Sequence, residues 1–198
     1  MSKLYIKKSI KPKFIKGFTI TELLIGIAII GILTAVAGPS LSKFIVQSRV
    51  DNEVSELHRL LLSARNSAIN SGRNVTICPL NGTVCTTNWK NEISVFINDG
   101  NTLANNSNYV SANEELIKVK GKIATGDTLK FSQNLIIFAP TGRLVAGGNS
   151  NFSYCPKDNA NLSRGVEVSL SGRVYATSDT NNDGKDNNRD GTAVSCSL

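Results

Sequence analysis

The chemistry this chain can carry is concentrated in a few residues, and Glu22 is the first of them. It stands at the head of an apolar run: from Leu23 to Ser42 there are only aliphatic and small residues, hydroxyls and one proline, and charge returns at Lys43. About 20 such residues in a helix suffice to cross a bilayer core. A carboxylate inside that span costs roughly 2.5–3.5 kcal/mol on insertion scales, so the chemistry to expect of Glu22 is pairing with a cation. Four cysteines, Cys78, Cys85, Cys155 and Cys196, form a second group. A third is the run Asp179-Thr180-Asn181-Asn182-Asp183-Gly184, which fits D-x-N-x-D-G, the opening of a calcium loop. The single histidine, His58, falls in a helical stretch far from the cysteines. With no nucleophile beside a base, the sequence disfavours an enzyme.

Four cysteines in an exported chain suggest two disulfides, for which three pairings exist. Cys78 and Cys85 flank an Asn81-Gly82 turn signal, and that short spacing favours a local bridge. Cys155 and Cys196 would then staple the C-terminal tail to the sheet. In the tail, counting Asp179 as the first loop position makes Asp190 the twelfth. Asp179, Asn181, Asp183 and Asp190 offer side-chain oxygens and Lys185 a carbonyl, while Gly184 permits the sharp turn. Two readings stand side by side: a solvated Asp/Asn-rich loop, or a loosened calcium site, since Asp190 is shorter than the usual glutamate. No other cofactor is indicated.

These groups need elements to hold them. Residues 1–17 carry six lysines and no acid, the pattern of a cytoplasmic leader before an export signal. Ala35-Val36-Ala37 offers a signal-peptidase site, but the apolar run is too long for a simple signal and a helical pattern continues past it. Val46, Val50, Val54, Leu57, Leu61, Ala64 and Ala68 recur at spacings of four or three, an apolar stripe at helical period that ends at Gly72. One helix over 18–72 is therefore expected, roughly 80 Å long at 1.5 Å per residue, kinked or locally melted at Pro39. Beyond Gly72, short β-prone segments at 74–78, 93–97, 116–119, 135–138, 144–145, 152–155, 166–170 and 173–176 alternate with Asn, Gly and Ser. Thr141-Gly142 and Ser171-Gly172 read as hairpin turns, and 99–113 as a polar surface loop. Trp89 and Phe96 read as core. The expected fold is α+β: a long N-terminal helix, membrane-spanning in its first half, packed on a C-terminal antiparallel β-sheet domain.

Gly17-Phe18-Thr19-Ile20-Thr21-Glu22-Leu23-Leu24, with the basic residues before it, resembles the processing motif of type IV pilins and pseudopilins. The resemblance implies that a prepilin peptidase cuts between Gly17 and Phe18 and that Phe18 becomes the N-methylated terminus. It also implies that the resulting amine meets Glu22 of a neighbouring subunit and sets axial register. The second half, through Cys78, Cys85, Trp89 and Phe96, then Phe138-Ala139-Pro140-Thr141-Gly142-Arg143 and Arg164-Gly165-Val166 leading to Ser171-Gly172-Arg173-Val174, resembles the GspH/FimT domain. This implies a minor pilin near a pilus tip, or a minor pseudopilin of type II secretion. Its partners would be other minor and major pilins and the prepilin peptidase. It would sit in the inner membrane with its C-terminal domain periplasmic before assembly, and at the pilus tip afterwards.

The implied divisions are a leader at 1–17, a membrane or fibre-core helix at 18–42, its amphipathic continuation at 43–72, and a β-rich domain at 73–198. Some relatives of this type bind DNA through a G-R-x-R stretch, which here reads Gly172, Arg173, Val174, Tyr175. Tyrosine replaces the second arginine, and Asp179, Asp183, Asp186 and Asp190 follow, which disfavours DNA as a partner. The chain carries +7 overall, but the six leader lysines supply nearly all of it, so global charge adds no support for nucleic-acid binding.

Overall fold

The computed structural model describes residues 17–98, 108–110, 112, 114–146 and 150–196. All of the expected leader (1–17) but Gly17, and most of the expected polar loop (99–113), lie outside the described residues. The chain divides into two compact units, Met1–Ser42 and Lys43–Leu198. A helix, α1, runs Ile20–Ser71 and is assigned as helical through Pro39. Among the described residues no single helix is long and apolar enough to cross a membrane. The segments Ile20–Ala35 and Ser40–Ser71, either side of a short stretch around Pro39, meet the length and composition together.

In the first unit α1 is apolar all round. Ile20, Leu23, Leu24, Ile25, Ile27, Ile29, Ile30, Ile32 and Leu33 are all exposed, a distribution that only lipid or other helices can accommodate. Thr34 Oγ1 donates to the carbonyls of Ile30 (2.9 Å) and Gly31 (3.0 Å), and Ser42 Oγ to that of Gly38 (3.3 Å), so these two hydroxyls are satisfied within the helix.

In the second unit α1 has one buried stripe. Val50, Val54, Leu57, Leu60, Leu61, Ala64 and Ala68 are buried in a core shared with residues of two antiparallel sheets. Each fully buried valine or leucine contributes about 1.5–3 kcal/mol. Gly72, with φ +66°, ends the helix, and its N–H donates to the Ala68 carbonyl, the left-handed stop that glycine adopts without strain.

The strands are β1 (Val75–Asn81), β2 (Val84–Cys85), β3 (Ile93–Ile97), β4 (Glu115–Lys120), β5 (Thr128–Lys130), β6 (Ile136–Phe138), β7 (Leu144–Ala146), β8 (Ser150–Cys155), β9 (Arg164–Val168) and β10 (Val174–Ala176). One sheet has the order β4-β3-β1-β6-β7 with β2 beside β1, and the other β10-β9-β8-β5. Every expected segment forms a strand; β2 and β5 are additions, too short to show alternation. β1 runs on through Pro79, opposite Ile93 of β3. Pro79 lies past the β6 ladder, which ends at Ile77, and its carbonyl accepts from the Thr86 N–H (2.9 Å). Trp89 is buried, edge-on to Phe131 and Phe152 (centroids 5.0 Å in each case), and its Nε1–H donates to the Gln133 carbonyl.

Charged pairs set how α1 lies on the sheets. Lys120 at the end of β4, 2% exposed, reaches Glu53 (2.5 Å) and Glu56 (3.5 Å), one helical turn apart. Arg164 at the start of β9 meets Asp51 (3.0 Å). Arg49 pairs with Asp127 (3.1 Å), whose buried carboxylate also accepts from Tyr154 Oη (2.6 Å) and the Lys157 N–H (2.8 Å). Burial first, and the neighbouring carboxylate second, push the Tyr154 hydroxyl well above the ordinary tyrosine range, so it stays a donor.

Two hairpin turns pack tightly against each other. Gly142 lies between β6 and β7, Gly172 between β9 and β10, and a Cβ on Gly172 would stand 1.8 Å from the Gly142 carbonyl oxygen. Arg65 Nε, from α1, donates to that same oxygen at 2.9 Å. Both glycines have positive φ. Gly172→Ala is expected to destabilise the chain by about 3 kcal/mol or more, since the steric displacement of backbone adds to left-handed strain. Gly184→Ala, also at positive φ but with open space around it, should cost only about 1–2 kcal/mol. Thermal denaturation of both variants, read by circular dichroism, checks the contrast.

Candidate functional site

Two places carry the chemistry, one in each unit. In the first, Gly17, Phe18 and Thr19 precede the helix in non-helical backbone, and Gly17 and Phe18 are exposed. Glu22 lies in the first turn. Its Oε2 accepts from the Thr19 N–H (2.9 Å) and Thr19 Oγ1 (2.8 Å), and the Glu22 N–H returns a bond to Thr19 Oγ1 (3.2 Å). This is a reciprocal capping box, which holds the carboxylate over the positive end of the helix dipole. Thr19 is thus a positioning residue for Glu22, and the signal for it was present in the spacing Thr-x-x-Glu. Phe18, Glu22, Leu23, Gly26, Ile27 and Ile30 line a concavity of about 270 Å³, apolar but for that carboxylate.

In the second unit the cysteines form Cys78–Cys85 and Cys155–Cys196. The first closes the β1–β2 hairpin. The second fastens the tail to the end of β8, and Lys130 Nζ of β5 also reaches the Cys196 carbonyl. Between these anchors the tail is held by isolated bridges, Ser178 to Asn187 and Asn187 to Ala193. Its buried residues are hydrogen-bonded: Asp186 accepts from Thr177 Oγ1 (2.8 Å), and Asn187 Oδ1 from the Thr180 N–H and hydroxyl (3.2 Å each).

The residues of the calcium reading, Asp179, Asn181, Asp183, Lys185 and Asp190, do not all converge on one point. Asp179, Asn181 and Asp183 share one turn, but their oxygens accept backbone N–H groups of Asp183, Gly184 and Lys185. Asp190 is engaged elsewhere, with Thr192 N–H (2.8 Å) and Oγ1 (2.6 Å). Among the described residues no group of three or more His, Cys, Asp or Glu side chains is placed to hold a metal ion. Asx-type turns satisfy these carboxylates locally, which the D-x-N-x-D-G spacing permits as readily as metal ligation.

Asp190 instead lines a groove of about 430 Å³ with Asn151, Glu167, Ser169, Ser171, Arg173, Tyr175 and Arg189. Arg173 and Tyr175 are brought together as their spacing on one strand suggests. Arg189 joins them from the tail, its guanidinium carbon 3.9 Å from the Tyr175 ring centroid. No sequence signal pointed to Arg189, because its partner lies fourteen positions away across a loop of irregular backbone. Hydrogen bonding to Arg173 first, and then to Arg189, holds the Tyr175 hydroxyl below the ordinary tyrosine pKa. Spectrophotometric titration is expected to show one tyrosine ionising below the usual value near 10, and Arg173→Gln should move that step upward. A titration curve unchanged in Arg173→Gln would contradict the contact.

Residues 53–172 match the family model described as type II transport protein GspH, and residues 13–38 match that of the prokaryotic N-terminal methylation motif. A fimbrial protein of Pseudomonas aeruginosa is 43% identical over 60 residues, which is 30% of this chain and 38% of the relative's length. The fold is similar to that of the type IV minor pilin FimU of Pseudomonas aeruginosa. One crystal form gives a TM-score of 0.53 at 20% identity over 68% of this chain and 92% of that one. A second gives 0.50 at 19% identity over 65% and 92%.

Proposed function

The chain belongs to the family described as type II transport protein GspH, whose members are structural subunits of the minor pilin and pseudopilin type, and from that premise we propose that it is a minor type IV pilin. In this reading residues 1–17 are removed by the prepilin peptidase, Phe18 is methylated, and 18–42 anchors the subunit in the inner membrane until assembly. The segment 43–72 and the β-rich region 73–198 then present surfaces to other pilins at or near the tip, where the subunit helps initiate the fibre.

The observation that carries this reading is the exposed, all-round apolar helix headed by a capped carboxylate. A helix of that kind gains only by packing against lipid or similar helices. Within such a bundle Glu22 requires a cation, and the amine that cleavage would create on Phe18 of a neighbour supplies one. A misregistered subunit would leave the carboxylate buried without a partner, which costs several kcal/mol. Glu22 therefore specifies register rather than raw stability.

Intact-mass analysis is expected to find a mature chain beginning at methylated Phe18. A chain beginning at Gly38 would contradict the reading. Glu22→Leu should leave membrane insertion intact and lower incorporation into fibres by at least about tenfold, equivalent to ~1.4 kcal/mol. Wild-type incorporation would remove the register role. The family description favours a second reading, a minor pseudopilin of a secretion machine. Loss of secretion with pili intact, on deleting the gene, would select it.

A further inference from the structure

The groove beside β9 and β10 has a charge arrangement that the scaffold reading leaves unused. Arg173 and Arg189, both exposed, converge on the single phenol of Tyr175. The ion pairs among the described residues are Arg49–Asp127, Lys120–Glu53, Lys120–Glu56 and Arg164–Asp51, so neither of these guanidinium groups has a carboxylate of its own. Each acid on the groove has one oxygen engaged: Glu167 Oε1 accepts the Arg189 backbone N–H (2.8 Å), and Asp190 Oδ1 accepts from the Thr192 N–H and hydroxyl. Two five-donor forks meet at Tyr175, Arg189 over its ring face and Arg173 at its hydroxyl, with Asn151, Ser169 and Ser171 adding amide and hydroxyl groups along the same cleft. That set matches a carboxylate followed by peptide backbone.

We propose that this groove receives an acidic peptide segment of a neighbouring fibre subunit, with Arg173 and Arg189 clasping its carboxylate against Tyr175. The proposal rests on the scaffold reading and names the contact through which that scaffold recognises a partner. Its volume lies at the low end of ligand-sized clefts, about 300–1,000 Å³. A polyphosphate is a poorer occupant. Its charges recur along the strand, and it would pass Glu167 and Asp190 within the groove and Asp179 and Asp183 on the adjoining exposed turn. The carboxylates of an acidic peptide hang on flexible side chains, so one can meet the two arginines while the others turn to solvent. Phosphates, by contrast, are fixed in the backbone itself. The lining also explains why partner choice is steric as well as ionic, since the guanidinium planes and the phenol fix the direction of approach.

The test uses the full chain in detergent micelles, titrated calorimetrically with an acetylated tetraglutamate amide, its tetraglutamine counterpart and a short DNA duplex. Tetraglutamate is expected to bind saturably at millimolar concentration or below, and tetraglutamine not at all. Arg173→Gln and Arg189→Gln should each weaken binding at least about tenfold with melting temperatures unchanged, and Arg189→Lys, which keeps the charge without the fork, should fall between. Absence of tetraglutamate binding, or equal binding by the Arg173→Gln/Arg189→Gln double variant, overturns the proposal. So does DNA binding tighter than tetraglutamate and lost in the same variants. Fibre incorporation then separates the two levels of the argument. A double variant that incorporates poorly supports the groove. One that incorporates normally while Glu22→Leu fails overturns the groove and leaves the scaffold reading standing. Normal incorporation of both overturns the groove and the register role of Glu22, and a wild-type chain absent from fibres overturns the scaffold reading.

Discussion

The packing of Gly172 against the Gly142 carbonyl, with Arg65 donating to the same oxygen, is the constraint on which the second unit turns. Three elements meet there: the last turns of α1, the β6–β7 turn of one sheet and the β9–β10 turn of the other. No side chain larger than hydrogen fits between the two turns. The approach brings the Leu144 N–H to the Leu170 carbonyl, so the two sheets share a hydrogen bond at the same place. Arg173 follows Gly172 directly, and the position of the groove is thus inherited from a backbone contact rather than set by the groove's own side chains.

The charged pairs along α1 do a different job from the apolar stripe. The stripe would bury equally well after a small slide of the helix, because Val, Leu and Ala recur with the helical period. Lys120 cannot tolerate that slide. At 2% exposure it needs Glu53 and Glu56 opposite it, and an uncompensated buried ammonium costs several kcal/mol. Asp127, bonded at once to Arg49, Tyr154 and the Lys157 N–H, imposes the same demand from the other sheet. Hydrophobic burial supplies most of the driving force, and buried charge selects one register from several.

The first unit works by the opposite logic. None of its described residues belongs to a buried core; its large apolar side chains are exposed, and its stability depends on surroundings still to be met. The capping box at Thr19 and Glu22 holds one carboxylate in place at the helix start before any partner arrives. A preset charge at the end of a featureless apolar rod carries positional information, since aliphatic surface alone accepts many registers.

Much of this was decided by local sequence. The period of Val50, Val54, Leu57, Leu61, Ala64 and Ala68 identifies the buried face of α1, because a helix repeats its side chains every 3.6 residues whatever lies opposite. Alternation at 166–170 and the Ser171-Gly172 turn mark a hairpin for the same kind of reason, and the seven-residue separation of Cys78 and Cys85 fits a local bridge. The run Gly17 to Leu24 marks its motif because peptidase recognition reads contiguous residues. What sequence could not fix is everything that depends on distant segments meeting. The division into two sheets follows from which edges pair, and β5 is recognisable only by its ladder with β8. Arg189 reaches Tyr175 because the Cys155–Cys196 anchor returns the tail to the sheet. The D-x-N-x-D-G run shows the limit from the other side: one spacing serves a cation or a set of Asx turns, and only the fold shows that Asp190 is bonded to Thr192.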